Sequence, residues 1–124
     1  TACQFPSVAP GVATMGGTCS AQGLLERINA KRAFHGVQPL QVDPELQNFA
    51  EYHSGVQAMT SKLHHSRKPG LAENVAYGSY TGDEADRWYA SPGHRANMLN
   101  PKFTRTGVAT VQGANGYYST QVLR

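Results

Sequence analysis

Apolar residues change their spacing several times along this chain, and each change marks a new element. Residues 1–17 contain Pro6, Pro10, Gly11, Gly16 and Gly17 with no apolar period, which predicts an extended arm. From Ser20 the period becomes helical. Leu24, Leu25 and Ile28 share one face, and Phe34-His35-Gly36 closes the segment on a glycine suited to a C-terminal cap. Pro39 interrupts the chain before Leu40 and Val42. A second helix starts with Asp43 as N-cap, Pro44 in the first helical position and Glu45 in the first turn. Leu46, Phe49, Ala50, His53 and Val56 carry it on one face to about Ser61.

Lys62 to Gly70 reads as a polar, basic loop holding His64, His65, Arg67 and Lys68. Leu71 to Tyr80, with Val75, Ala76 and Tyr77, predicts a short strand or extended segment. Thr81-Gly82-Asp83-Glu84 matches a capping box with Thr81 as N-cap, opening a short helix that carries Trp88. Ser91-Pro92 opens another helix, which Asn100-Pro101 ends. Thr106–Val111 and Tyr117–Leu123 read as strands joined by the hairpin signal Gly113-Ala114-Asn115-Gly116. Helices come first and strands late, without strand–helix alternation. That order predicts an α+β layer architecture built on an antiparallel sheet.

Composition narrows the picture. At 124 residues the chain is long enough for one domain with one core. Charged residues make up only 15%, which excludes a solvated tail or a coiled coil. No apolar run reaches the ~20 residues of a transmembrane helix. The eleven basic residues are scattered rather than interleaved with aromatics, so nucleic acid is not an expected partner. There is no phosphate-binding glycine loop and no Gly-x-Ser-x-Gly elbow. The two cysteines, Cys3 and Cys19, lack metal or redox spacing and predict one disulfide stapling the arm, residues 1–19, to the first helix. That pairing implies a secreted chain whose leader has been removed. The alternative is a cell-surface lipoprotein acylated on Cys3, with Cys19 free.

The histidines are the candidate chemistry. His94 falls in the third position of a helix, where the positive end of the helix dipole keeps its imidazole neutral. If the loop brings His65 or His64 together with Glu73 toward His94, the set is two imidazoles and a carboxylate, suited to Zn²⁺ or another divalent cation. Against this stands a structural role for Glu73 as an acceptor for nearby amides. His53 lies on the apolar face of the second helix and reads as a core residue.

Three stretches in this order are Leu24–Leu40 (LLERINAKRAFHGVQPL), Leu71–Gly78 (LAENVAYG) and Trp88–Pro101 (WYASPGHRANMLNP). Together they resemble the CAP superfamily of cysteine-rich secretory, antigen 5 and pathogenesis-related proteins, in its prokaryotic-type branch, over residues 20–124. The resemblance implies a three-layer α-β-α sandwich with a central antiparallel sheet, usually secreted. Larger members of the superfamily carry a cleft of two histidines and two acids, often with a divalent metal. Carried onto this chain, the histidines fall on His65 (alternate His64) and His94, and one acid falls on Glu73 beside Asn74. The second acid falls on Ser91, a departure that reduces the negative charge of the cleft.

The resemblance implies a monomeric extracellular binding module for a lipid or sterol, or for a cell-envelope polymer or protein. The competing reading is a zinc-dependent hydrolase of cell-wall or peptide bonds, with Glu73 as general base on a metal-bound water.

Overall fold

Helix α1 (Thr18–Phe34) ends where Gly36 adopts φ +71° and Val37 N–H turns back to the carbonyl of Arg32, the glycine stop expected from the sequence. The computed structural model describes the backbone of residues 18–124 and the side chains of 21–124. The expected Cys3–Cys19 disulfide and the acylated alternative lie outside the described side chains. Most of the 1–19 arm also lies outside, although the described part of α1 starts at Thr18, before that boundary.

Strand β1 (Gln41–Val42) is a short piece that the sequence reading did not separate from its loop. Helix α2 (Pro44–Thr60) is N-capped as expected, with Asp43 Oδ1 accepting from Glu45 N–H at 2.9 Å. Strand β2 (Ala72–Gly78) follows, then α3 (Glu84–Ala90), α4 (Pro92–Leu99), β3 (Arg105–Gly113) and β4 (Gly116–Leu123). The strands form one sheet in the order β1-β3-β4-β2. Its two long pairings are antiparallel, and only the short β1–β3 contact is parallel.

Strand parity builds the layers. Ala109, Val111, Tyr118 and Val122 face α2 and pack on Leu46, Ala50 and Ala58. Val108 and Leu123 face the other way, into a core with Leu24, Leu25 and Ile28 of α1, Trp88 of α3 and Met98 of α4. The result is the expected α-β-α sandwich. α2 lies directly against the sheet because two glycines admit it. A Cβ on Gly107 would sit 2.2 Å from Leu46 O, and one on Gly113 would sit 2.7 Å from Ala58 O.

One local expectation changes. α3 begins after Asp83, not after Thr81, and Asp83 makes no side-chain cap. Glu84 is only 2% exposed, so its carboxylate must find donors inside the protein. It takes the Thr81 hydroxyl at 2.5 Å, the Gly82 amide at 2.8 Å and the Ser119 hydroxyl of β4 at 2.9 Å. The Thr–Glu spacing therefore closes a loop onto the sheet instead of opening the helix.

Candidate functional site

The outer edge of β2 is where the two helical layers meet. The 62–70 loop arrives from the α2 side and α4 from the other. Two buried side chains of α2 hold the loop by its backbone. Gln57 Oε1 accepts from His64 N–H at 3.1 Å, and His53 Nε2 donates to the His64 carbonyl at 2.7 Å. His53 is thus a core residue that positions the loop, and Gln57 is its partner, which sequence reading missed. Its place among the apolar residues of α2 was the available signal.

This anchoring separates the His64/His65 pair. The His64 ring turns edge-on to His53, with centroids 4.9 Å apart, and its Nδ1 donates to the Lys62 carbonyl. His65 instead meets Glu73, donating from Nδ1 to Oε1 at 2.9 Å. Glu73 has further donors: Ser66 N–H reaches Oε1 at 2.8 Å and the Ser66 hydroxyl reaches Oε2 at 2.5 Å. The Glu73 side chain is 8% exposed and that of His65 54%. The carboxylate is held within the protein, and His65 Nε2 is left outward.

On the opposite wall, Ser91 stands at the N-cap position of α4 with Pro92 after it, but its hydroxyl caps no amide. It shares a hydrogen bond of 2.9 Å with His94 Nδ1. The serine at the place of the missing acid therefore orients the second histidine. Burial, with a smaller effect of the neighbouring His65 charge, holds the His94 imidazole below its ordinary pKa, favouring its neutral form. Asn74 is fully buried and ties the walls together, donating to the His94 carbonyl at 3.1 Å and to Gln121 Oε1 at 3.2 Å. Asn97 of α4 completes the join by donating to the Glu73 carbonyl and to Asn74 Oδ1. Sequence reading did not single out Asn97, although it lies in the quoted Trp88–Pro101 stretch.

This geometry sits on a sheet and helix order shared with known proteins. Residues 25–123 match the CAP family, the cysteine-rich secretory protein family. The chain belongs to the CAP family. It is 34% identical over 111 residues to the uncharacterized protein YkwD of Bacillus subtilis, covering 74% of this chain and 42% of that protein. It is 38% identical over 87 residues to the human Golgi-associated plant pathogenesis-related protein 1, covering 65% of this chain and 56% of that one. The chain thus spans about half the length of these curated relatives. An extracellular SCP-domain protein of Bacillus anthracis has the same fold, with a TM-score of 0.73 at 24% identity over 87% of this chain and 41% of that one.

Among the described residues no group of three or more His, Cys, Asp or Glu side chains is arranged to hold an ion. His65 and His94 each use Nδ1 within the protein, so two imidazole Nε2 atoms are the donors that remain. Glu73 orients His65, as a carboxylate behind a metal-binding histidine does. Among the described residues, no helix is long and apolar enough to cross a membrane.

Proposed function

We propose that this chain is a secreted CAP domain acting as an extracellular binding module, with a lipid or sterol as ligand. The observation that carries this reading is the engagement of Glu73: both carboxylate oxygens already accept hydrogen bonds from His65 and Ser66. A general base must have an oxygen within reach of the proton it removes. With Ser91 replacing the second acid, the cleft reads as a brace that fixes the loop to α4.

The extracellular description of the Bacillus anthracis protein supports secretion. A groove of about 400 Å³ between α1 and α3 supports an amphipathic ligand. Ala30, Phe34 and Tyr89 supply apolar walls and Arg27 a cation at the rim, while Lys31 pairs with Asp86 of the same lining at 2.8 Å. Phe34 is 84% exposed, so its ring is open to a ligand in the groove. A lipid with an acidic headgroup fits both parts.

The test is titration with a fluorescent fatty acid. We expect saturable binding that Phe34→Ser weakens and His94→Ala leaves unchanged; no binding removes the lipid reading. A divalent cation has two imidazole donors here, so calorimetry with Zn²⁺ should find weak binding that His94→Ala abolishes. Cleavage of a peptide or peptidoglycan amide, lost in Glu73→Gln, would instead establish the hydrolase.

A further inference from the structure

Three of the basic side chains stand together on the 62–70 loop: Lys62, Arg67 and Lys68. All three are exposed, and from Ser61 to Ala72 the chain holds no Asp or Glu. Lys31, Arg87, Arg105 and Arg124 each pair with a carboxylate. None of the three loop cations has such a partner among the described residues. The nearest acid along the chain, Glu73, is taken by His65 and Ser66.

The loop backbone is fixed from within the protein. Gln57 and His53 hold His64, and Glu73 holds Ser66. Ser66 Oγ accepts from Lys68 N–H at 3.2 Å, and Lys68 Nζ lies 5.2 Å from the centre of the Phe49 ring. Between these anchors Arg67 takes φ +60°, in the left-handed region. A residue with a Cβ is strained there, whereas glycine adopts it freely. Ser61 is the other described non-glycine residue at positive φ, and it is the C-cap of α2. Arg67 caps no helix. Strain held in place beneath an exposed arginine calls for a use of its side chain.

We propose that this loop binds a linear phosphodiester polymer, with Arg67 as the main contact and Lys62 and Lys68 on neighbouring phosphates. A guanidinium meets two phosphate oxygens at once, and each ammonium adds a point charge. Lys62 and Arg67 lie on either side of the pinned His64–Ser66 segment, so a chain of repeated charges engages both and a single phosphate engages one. The three cations are donors only, and from Ser61 to Ala72 there is no Asn or Gln to accept from sugar hydroxyls. That favours phosphate oxygens over an acidic polysaccharide. The same stretch has no Phe, Tyr or Trp, so phosphates are read and not nucleic-acid bases.

Other occupants fit less well. The chain's own residues 1–17 contain no Asp or Glu and cannot neutralise the loop. In a second copy, Asp43, Glu45, Glu73, Asp83 and Asp86 are already ion-paired and Glu84 is buried. Glu26 and Glu51 remain, on different helices. An acidic bilayer also carries phosphate, but Leu63 is the one exposed large apolar side chain between Ser61 and Ala72, little to enter a membrane with. The inference does not depend on the lipid reading, whose groove is lined by other residues.

The test is titration of the full chain with poly(glycerol phosphate), followed by calorimetry and by the NMR amide signals of residues 61–72. Binding should be saturable, weaken at high salt and shift those signals. Arg67→Gly should weaken it roughly tenfold and leave the melting temperature unchanged or higher, because glycine relieves the left-handed backbone. A merely structural Arg67 predicts the reverse, a lower melting temperature with binding intact. Polyglutamate of equal length, phosphatidylglycerol vesicles and glycerol phosphate itself should each bind more weakly. The proposal is overturned if the polymer does not bind, or if Arg67→Gly binds it as tightly as the parent. It is equally overturned if the shifted signals lie outside the loop, or if polyglutamate, the vesicles or glycerol phosphate bind as tightly as the polymer.

Discussion

Glu84 shows how far one side chain can depart from its sequence signal. Burial pushes its carboxyl up, yet hydrogen bonds from Thr81, the Gly82 amide, its own amide and Ser119 together hold it below the usual carboxylate range. Glu84→Gln keeps the shape but turns an acceptor into a donor facing other donors. It should cost about 1–3 kcal/mol, seen as a lower urea midpoint at unchanged slope. An unchanged midpoint would show that the carboxylate is not the centre of that network. Ser91 is a second case. Its place before Pro92 marks a helix start, and the structure uses its hydroxyl on His94 instead. A hydroxyl has several partners within reach, and only the packed neighbours choose among them.

At the scale of elements, α2 against β3 and α1 against α4 decide where the layers sit. Gly107→Ala places a methyl 2.2 Å from the Leu46 carbonyl, which is backbone and cannot swing aside. We expect a loss of about 3 kcal/mol or more, read as a large fall in melting temperature, and a variant as stable as the parent would contradict the close approach. Arg32 of α1 is fully buried and serves as a C-terminal cap for α4. It donates to the carbonyls of Met98 and Asn100, and also to Gln38 and Phe103. Arg32→Met should cost about 3 kcal/mol, because it strands those carbonyls without a donor. Crystals of a folded variant should show α4 displaced at its C-terminal end.

For the whole molecule, the pH response is a balance: the groups with depressed pKa values lose stability as pH falls, while Glu51, whose carboxyl burial pushes up, acts in the opposite sense. Burial pushes Asp43 up, but the amides of Glu45 and Leu46 and the Arg124 guanidinium hold it below the usual range, as the hydrogen bonds do for Glu84. The unfolded chain therefore binds protons before the folded one does. Stability from these carboxylates is complete above about pH 4 and is lost as pH falls through their lower folded values. His94 adds an earlier step of the same sign. Below about pH 6.5 an unfolded imidazole accepts a proton that the folded one resists. Urea midpoints measured with a chelator should be flat above about pH 6.5, fall gently below it and fall again below about pH 4. His94→Gln should remove the first fall and keep the second. Identical profiles for the two proteins would exclude His94 as its source.

What the sequence determined by itself was local or carried by an ordered set of motifs. Asp43-Pro44 and Gly36 mark helix ends through contacts within a few residues, and the hairpin glycines mark a turn, so those boundaries are legible. The three CAP-like stretches carried the α-β-α order and pointed to Glu73, Asn74 and His94, and the superfamily's histidine cleft, carried onto the 62–70 loop, pointed to His65 with His64 as alternate. Tertiary structure decided what those residues do. It turned His65 rather than His64 toward Glu73, because Gln57 and His53 grip the loop from a helix distant in the chain. It also gave Glu73 to Ser66, Ser91 to His94 and Gln47 to the β3 edge. The reason is physical: caps and turns are satisfied by neighbours along the chain, whereas a buried polar group takes whichever partner the packed layers bring within about 3 Å.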